Sequence, residues 1–229
     1  MAIAFSTGAS LQNATGNALP ATGQTFGVGQ LLIGLVQAYY GGTGSSTIAM
    51  SDNVNTGAWT NARQLLDATG SGQIAILYKV TNAALSAGAI TYTATGLNSG
   101  VTNANMIVAA FTGFVGTPTV ISADGATASG ATASISIGPV AASQSNELFV
   151  TANQYANGIT SGFPPAGWSQ TSGLSSQALL YRANVASGTN VSLTATMSAA
   201  GSWESLMQGF YDAVAATTHP NLMMLGVGS

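Results

Sequence analysis

The chain reads as all-β: a two-sheet antiparallel β-sandwich, jelly-roll-like, built from an internally duplicated β unit with extended terminal arms. Three observations predict it. Apolar residues alternate with Thr and Ser in several segments, the period of a half-buried strand. Clusters of Gly, Ser, Asn and Pro separate those segments. Five sequence pieces recur in the same order in the two halves, and such self-similarity marks a repeated structural unit. No segment shows a sustained 3.6-residue stripe with helix caps, so about ten to twelve short strands are expected.

Taken in order, residues 1–30 are rich in Gly and Ala and fall outside the repeat, so they read as an N-terminal arm or edge segment. The repeat occupies residues 31–213, with units at about 31–114 and 147–213. Its first piece is Leu31–Tyr40, matched by Glu147–Tyr155. Gly57-Ala58-Trp59-Thr60 follows, matched by Gly167-Trp168-Ser169. The third piece, Gln73–Lys79, ends in Tyr78-Lys79, and its counterpart Gln177–Arg182 ends in Tyr181-Arg182. In Ala89–Thr95, the residues Ile90, Tyr92 and Ala94 alternate with Thr91, Thr93 and Thr95. Asn190–Thr196 repeats the pattern with Val191, Leu193 and Ala195, and Ile135 and Ile137 show it between the units. The last match is Met106–Phe111 with Leu206–Phe210. Each unit's final strand should return beside its first, as strands do in Greek-key and jelly-roll sheets, so one sandwich is expected. Residues 214–229 read as a C-terminal arm.

Charge is scarce: three basic and six acidic residues in 229, a net charge of −3. Ordinary domains carry about a quarter of their residues charged, which keeps them soluble and monomeric. A chain covered in Ala, Thr, Ser, Gly and Asn is suited to lie against other protein. Nucleic-acid binding needs a Lys/Arg footprint that three basic residues cannot supply. The longest apolar run, Leu31–Tyr40, is half the length of a membrane helix. The N-terminus lacks the basic and apolar regions of a secretory signal, so synthesis in the cytoplasm is expected. With no cysteine there is neither a disulfide framework nor a thiolate centre.

Candidate sites are few. Trp59 and Trp168 occupy matching positions and are candidate glycan contacts, with Tyr39, Tyr40 and Tyr155 as further aromatics. The preferred reading makes the tryptophans plugs at the ends of the core. Lys79 and Arg182 each follow a core-facing Tyr, so both cations should face outward, as edge-blocking charges or contacts to a neighbouring subunit. Glu147 and Glu204 are the candidates for a glycosidase pair, though their spacing does not support it. Asp52-Asn53-Val54-Asn55 is too short for a calcium loop and reads as an Asx-rich turn. His219 lies in the C-terminal arm and no Gly-x-Ser-x-Gly elbow exists, which argues against a Ser-His-Asp triad. No cofactor or metal is expected.

The repeated pattern resembles β-sandwich domains of phage virion proteins, such as capsid decoration and fibre proteins, and of bacterial surface proteins. It is carried by Asp52–Thr60, Ile74–Lys79, Ala87–Thr95 and Met106–Phe111, and again by Trp168, Ala178–Arg182, Val191–Thr196 and Leu206–Phe210. The resemblance implies an adhesive or structural role and no catalytic residues. The expectation is therefore a non-enzymatic virion component whose partners are other virion proteins and copies of itself. Leu222, Met223, Met224 and Leu225 would form an apolar anchor in the arm, Met adapting to irregular contact surfaces. The alternative expectation is a module binding host-surface glycan.

Overall fold

The computed structural model describes residues 2–13, 17–40, 47–66, 72–97, 101–114, 117–159, 163–174 and 177–213. Among them there is no helix. Fifteen strands run in order: β1 (Ala4–Asn13), β2 (Ala18–Phe26), β3 (Leu31–Tyr40), β4 (Ala49–Asp52), β5 (Thr60–Leu66), β6 (Gly72–Val80), β7 (Leu85–Thr95), β8 (Val101–Thr112), β9 (Thr117–Gly130), β10 (Ser134–Ala141), β11 (Glu147–Tyr155), β12 (Ser169–Leu174), β13 (Gln177–Val185), β14 (Asn190–Thr196) and β15 (Trp203–Ala213).

Every pairing between strands is antiparallel, and there are four sheets where the sequence predicts two. Sheet I has the order β1-β8-β3-β6-β5, sheet II β2-β7-β4, sheet III β12-β13-β11-β15-β9 and sheet IV β10-β14. Sheets I and III correspond term by term when β1, β8, β3, β6 and β5 are matched to β9, β15, β11, β13 and β12. Pairing in the first half is nested, β1 with β8, β2 with β7 and β3 with β6. In the second half β9 pairs with β15, β10 with β14 and β11 with β13. The counterpart of β4 is reduced to a single bridge, Ile159 to Met197.

The layers follow from which residues share a core. Leu32, Val36, Leu77 and Val108 of sheet I pack on Leu19, Ile90, Tyr92 and Met50 of sheet II. Phe149, Leu180 and Met207 of sheet III pack on Ile135, Ile137, Val191 and Leu193 of sheet IV. The third core lies between the backs of the two five-stranded sheets. There Leu31, Ile33, Leu35, Ile74, Ile76 and Phe111 meet Leu148, Val150, Leu179, Leu206 and Phe210. Strands β3 and β11 are consequently buried on both faces, which explains why Leu31–Val36 is a continuous apolar run rather than an alternation. Sheets II, I, III and IV thus stack in that order. A strand read as facing one core faces two, and the single sandwich becomes two back to back.

Aromatic contacts across the central layer are reciprocal. Tyr78 of β6 meets Phe210 of β15 edge-on at 5.5 Å between ring centroids, and Tyr181 of β13 meets Phe111 of β8 at 5.3 Å. Within the N-terminal stretch, β1 is the edge of sheet I and β2 the edge of sheet II. Ile3 is tied across the molecule, its N–H donating to Asn184 Oδ1 at 2.7 Å while Asn184 Nδ2 donates to Ile3 O. The C-terminal arm, with His219 and the Leu222–Leu225 anchor, lies outside the described residues.

Candidate functional site

The most organised surface feature is the loop between β4 and β5. Asp52 ends β4 and turns the chain back on itself: its Oδ1 accepts from the N–H groups of Val54 and Asn55 and from Asn55 Nδ2. Its Oδ2 accepts from Trp59 Nε1 at 2.9 Å. This is an Asx turn, as its sequence suggests, and the carboxylate is filled with N–H donors that a calcium ion would have to displace. Gly57 adopts a left-handed φ of 84°, and Gly167 before Trp168 adopts 82°, so both tryptophans enter the core from a turn that favours glycine. Ser51–Ala58 line an open depression of about 510 Å³.

Lys79 holds this loop from beneath. Strand alternation turns Tyr78 toward the central layer, as expected, but Lys79 points toward sheet II under the loop rather than outward. The ammonium donates to the carbonyl oxygens of Asn55, at 3.2 Å, of Thr56, at 2.6 Å, and of Gly57. Only 7% of the residue is exposed. Lys79 is therefore an internal cation organising three loop carbonyls, and its assignment as a surface or subunit contact is corrected. Arg182, its counterpart on β13, is half-buried. There the chain between β11 and β12 runs through Phe163–Gly167, with no Asx turn on an acid.

Both candidate glycan-stacking tryptophans are core residues. Trp59 packs in the core between sheets I and II and meets Tyr92 edge-on at 5.9 Å. Trp168 packs between sheets III and IV and donates Nε1 to Ser192 O at 3.0 Å. Tyr155 is also buried, against Phe163. None of the three presents a ring face to a sugar, which corrects their candidacy. The side chains of Tyr39 and Tyr40 lie outside the description.

The glycosidase pair fails on register. Leu148 stands opposite Phe210 and Gln154 opposite Glu204, so Glu147 and Glu204 sit at opposite ends of β11 and β15. Seven positions at about 3.3 Å per residue put them about 23 Å apart, well beyond the roughly 5–9.5 Å of catalytic pairs. Glu147 instead partners Asp124, a residue the sequence did not single out. Between Gln208, which faces Gly125, and Gly209, which faces Ile121, strand β9 loops out residues 122–124. That bulge tucks Asp124 beside Glu147, where both are buried. Ser143 N–H donates to Asp124 Oδ2 at 2.7 Å and Gln144 N–H to Glu147 Oε2 at 3.4 Å. Burial, then the neighbouring Asp124 charge and a hydrogen bond to it, push Glu147 up to about 8. At neutral pH the pair therefore holds a proton. The one sequence signal was an acid standing directly before the apolar Leu148-Phe149-Val150 run of β11.

Among the described residues no three of His, Cys, Asp and Glu gather into a metal site. No family model, curated protein or solved structure matches the chain.

Proposed function

We propose that the protein is a non-enzymatic structural component of a phage-like virion, such as a capsid decoration or head-fibre protein, acting through contacts with copies of itself and with other virion proteins. One observation carries this reading: no charged side chain among the described residues is fully exposed. Lys79, Asp124, Glu147 and Glu204 are buried, and Asp52, Arg63, Arg182 and Asp212 are half-buried. A surface of Thr, Ser, Ala, Asn and Gly can be covered by protein without stripping water from ions, the most expensive part of making an interface. The same surface does little to keep copies apart in solution.

The chain order supports the reading at the level of fold. Nested pairing of first with last, second with next-to-last and third with sixth strand is what a long antiparallel hairpin yields when rolled into a jelly roll, an architecture common in capsid domains. The fifth strand departs from that scheme by joining β6. We infer that the two halves are copies of one such unit. The matched strand orders and the reciprocal Tyr–Phe contacts support duplication. Arg182 and the Leu222–Leu225 anchor remain the proposed assembly contacts. The glycan reading has lost Trp59, Trp168 and Tyr155 and is not carried forward.

Light scattering after size exclusion, across a concentration series, tests the proposal. A defined oligomer or growing assemblies are expected, and deletion of residues 217–229 should reduce them. A mass of 22.7 kDa at every concentration, with no co-sedimentation with phage particles made in the same cells, would overturn it.

A further inference from the structure

Five polar side chains line one end of the layer between sheets I and III. Gln37 on β3 and Asn105 on β8 are cross-strand partners, with Asn105 Nδ2 donating to Gln37 Oε1 at 3.1 Å. On β11, Gln154 stands opposite both Gln177 of β13 and Glu204 of β15. All five are buried. Alternation places Gln37 on the face of Leu31, Ile33 and Leu35, and Gln154 on the face of Leu148, Val150 and Ala152, which are the faces that meet. The Tyr78–Phe210 and Tyr181–Phe111 contacts lay the Leu31 end of β3 over the Leu148 end of β11. The Gln37 and Gln154 ends therefore also coincide.

Hydrogen bonding within the protein does not saturate this cluster. Gln37 Nε2, Asn105 Oδ1 and both amide atoms of Gln177 have no protein partner, although Gln37 and Gln177 are 0% exposed. Native interiors seldom leave such groups unbonded, because the desolvation is then uncompensated. Moreover, Ile74 stands beside Gln37 at the place in sheet I that Gln177 takes beside Gln154 in sheet III. The fold thus accommodates an aliphatic side chain there, and a glutamine in its place calls for a partner.

We propose that this end of the layer is an internal hydration site, where ordered water bridges Gln37 and Asn105 of sheet I to Gln177 of sheet III. The open valences are amide N–H groups and carbonyl oxygens together. Water satisfies both, whereas a cation would face the amide hydrogens and an apolar guest would satisfy neither. The bridge ties the two halves together where their cores turn polar.

A crystal structure in which ordered water is visible, together with water-oxygen magnetic relaxation dispersion, tests the site. We expect density for water within hydrogen-bonding distance of the Gln177 amide and of Gln37 or Asn105. The dispersion should show long-lived internal water that falls in amplitude in Gln177→Met. Amides bonded only to protein, a solute other than water in the density, or an unchanged dispersion in a folded Gln177→Met would overturn the proposal. Should that variant not fold, the wild-type density decides alone.

Discussion

Lys79 shows how a single side chain can set a surface. Its ammonium takes three carbonyl oxygens that have no strand partner, the role a bound cation plays in many loops. Lys79→Met keeps the stem and removes the donors, leaving the carbonyl of buried Asn55 without this partner while Thr56 O keeps Asn82 Nδ2, at a cost of about 1–3 kcal/mol. For a chain of this size that is a drop in Tm of about 2–10 °C by thermal unfolding. Arg182→Met should cost less than Lys79→Met, because Arg182 is only half-buried. Equal losses in the two variants would show that the matched cations have matched roles after all. Glu147 yields a prediction of a different kind. Its folded pKa of about 8 exceeds the ordinary 4.5, so the folded state holds a proton that the unfolded chain releases. The resulting stability is complete below about pH 4.5, declines as pH rises to 8 and is gone above it. Its size is on the order of 4 kcal/mol. Denaturant melts at pH 5, 6.5 and 8 should show this fall in wild type and a flatter profile in Glu147→Gln. Parallel profiles would mean that Glu147 titrates as an exposed acid does.

The Asp124–Glu147 pair exists because of how two strands are built. β9 must bulge between Ile121 and Gly125, and β15 must present a residue without a side chain where Glu147 lies across it. A Cβ on Gly209 would overlap Glu147 Oε1 and crowd Asp124, both groups held in a packed site. Gly209→Ala is therefore expected to cost about 1–3 kcal/mol. Part of it should return in Gly209→Ala/Glu147→Ala, because the second change removes one of the overlapping groups. Strict additivity in a double-mutant cycle would show that the two do not touch. Apart from the acid that opens β11, none of this was legible in the sequence. A bulge has no composition of its own, and Asp124 and Glu147 are distant along the chain. What could be read locally was read: alternation marked β7, β10 and β14, and the paired Gly-Trp turns marked the entries to β5 and β12. Strands β4 and β9 carry no clear alternation, and β1 and β2 were legible only as an arm or edge segment, because Gly, Ala and Thr give too little contrast between faces. Trp59 and Trp168 followed the packing expectation. Lys79 did not, because period two says which face a residue takes and not what covers that face.

At the scale of the whole molecule, the decisive surface is the one between sheets I and III. Each half has its own sandwich core, yet each would expose Leu31, Ile33, Leu35, Ile74, Ile76 and Phe111, or Leu148, Val150, Leu179, Leu206 and Phe210, if it stood alone. At about 1.5–3 kcal/mol per fully buried side chain, uncovering half a dozen costs on the order of 10 kcal/mol. That is as much as the total stability of an ordinary domain. Cutting the chain between residues 115 and 116 should therefore give two fragments that aggregate when made separately. Made together, they should join in a 1:1 complex through the same reciprocal contacts, since Tyr78 and Phe210 lie on different fragments, as do Phe111 and Tyr181. Size exclusion with light scattering, and cooperative unfolding of the complex, would read this out. A fragment that stayed monomeric and unfolded cooperatively alone would mean that the central layer joins two independent domains, and that the halves are coupled far more weakly than their buried backs require.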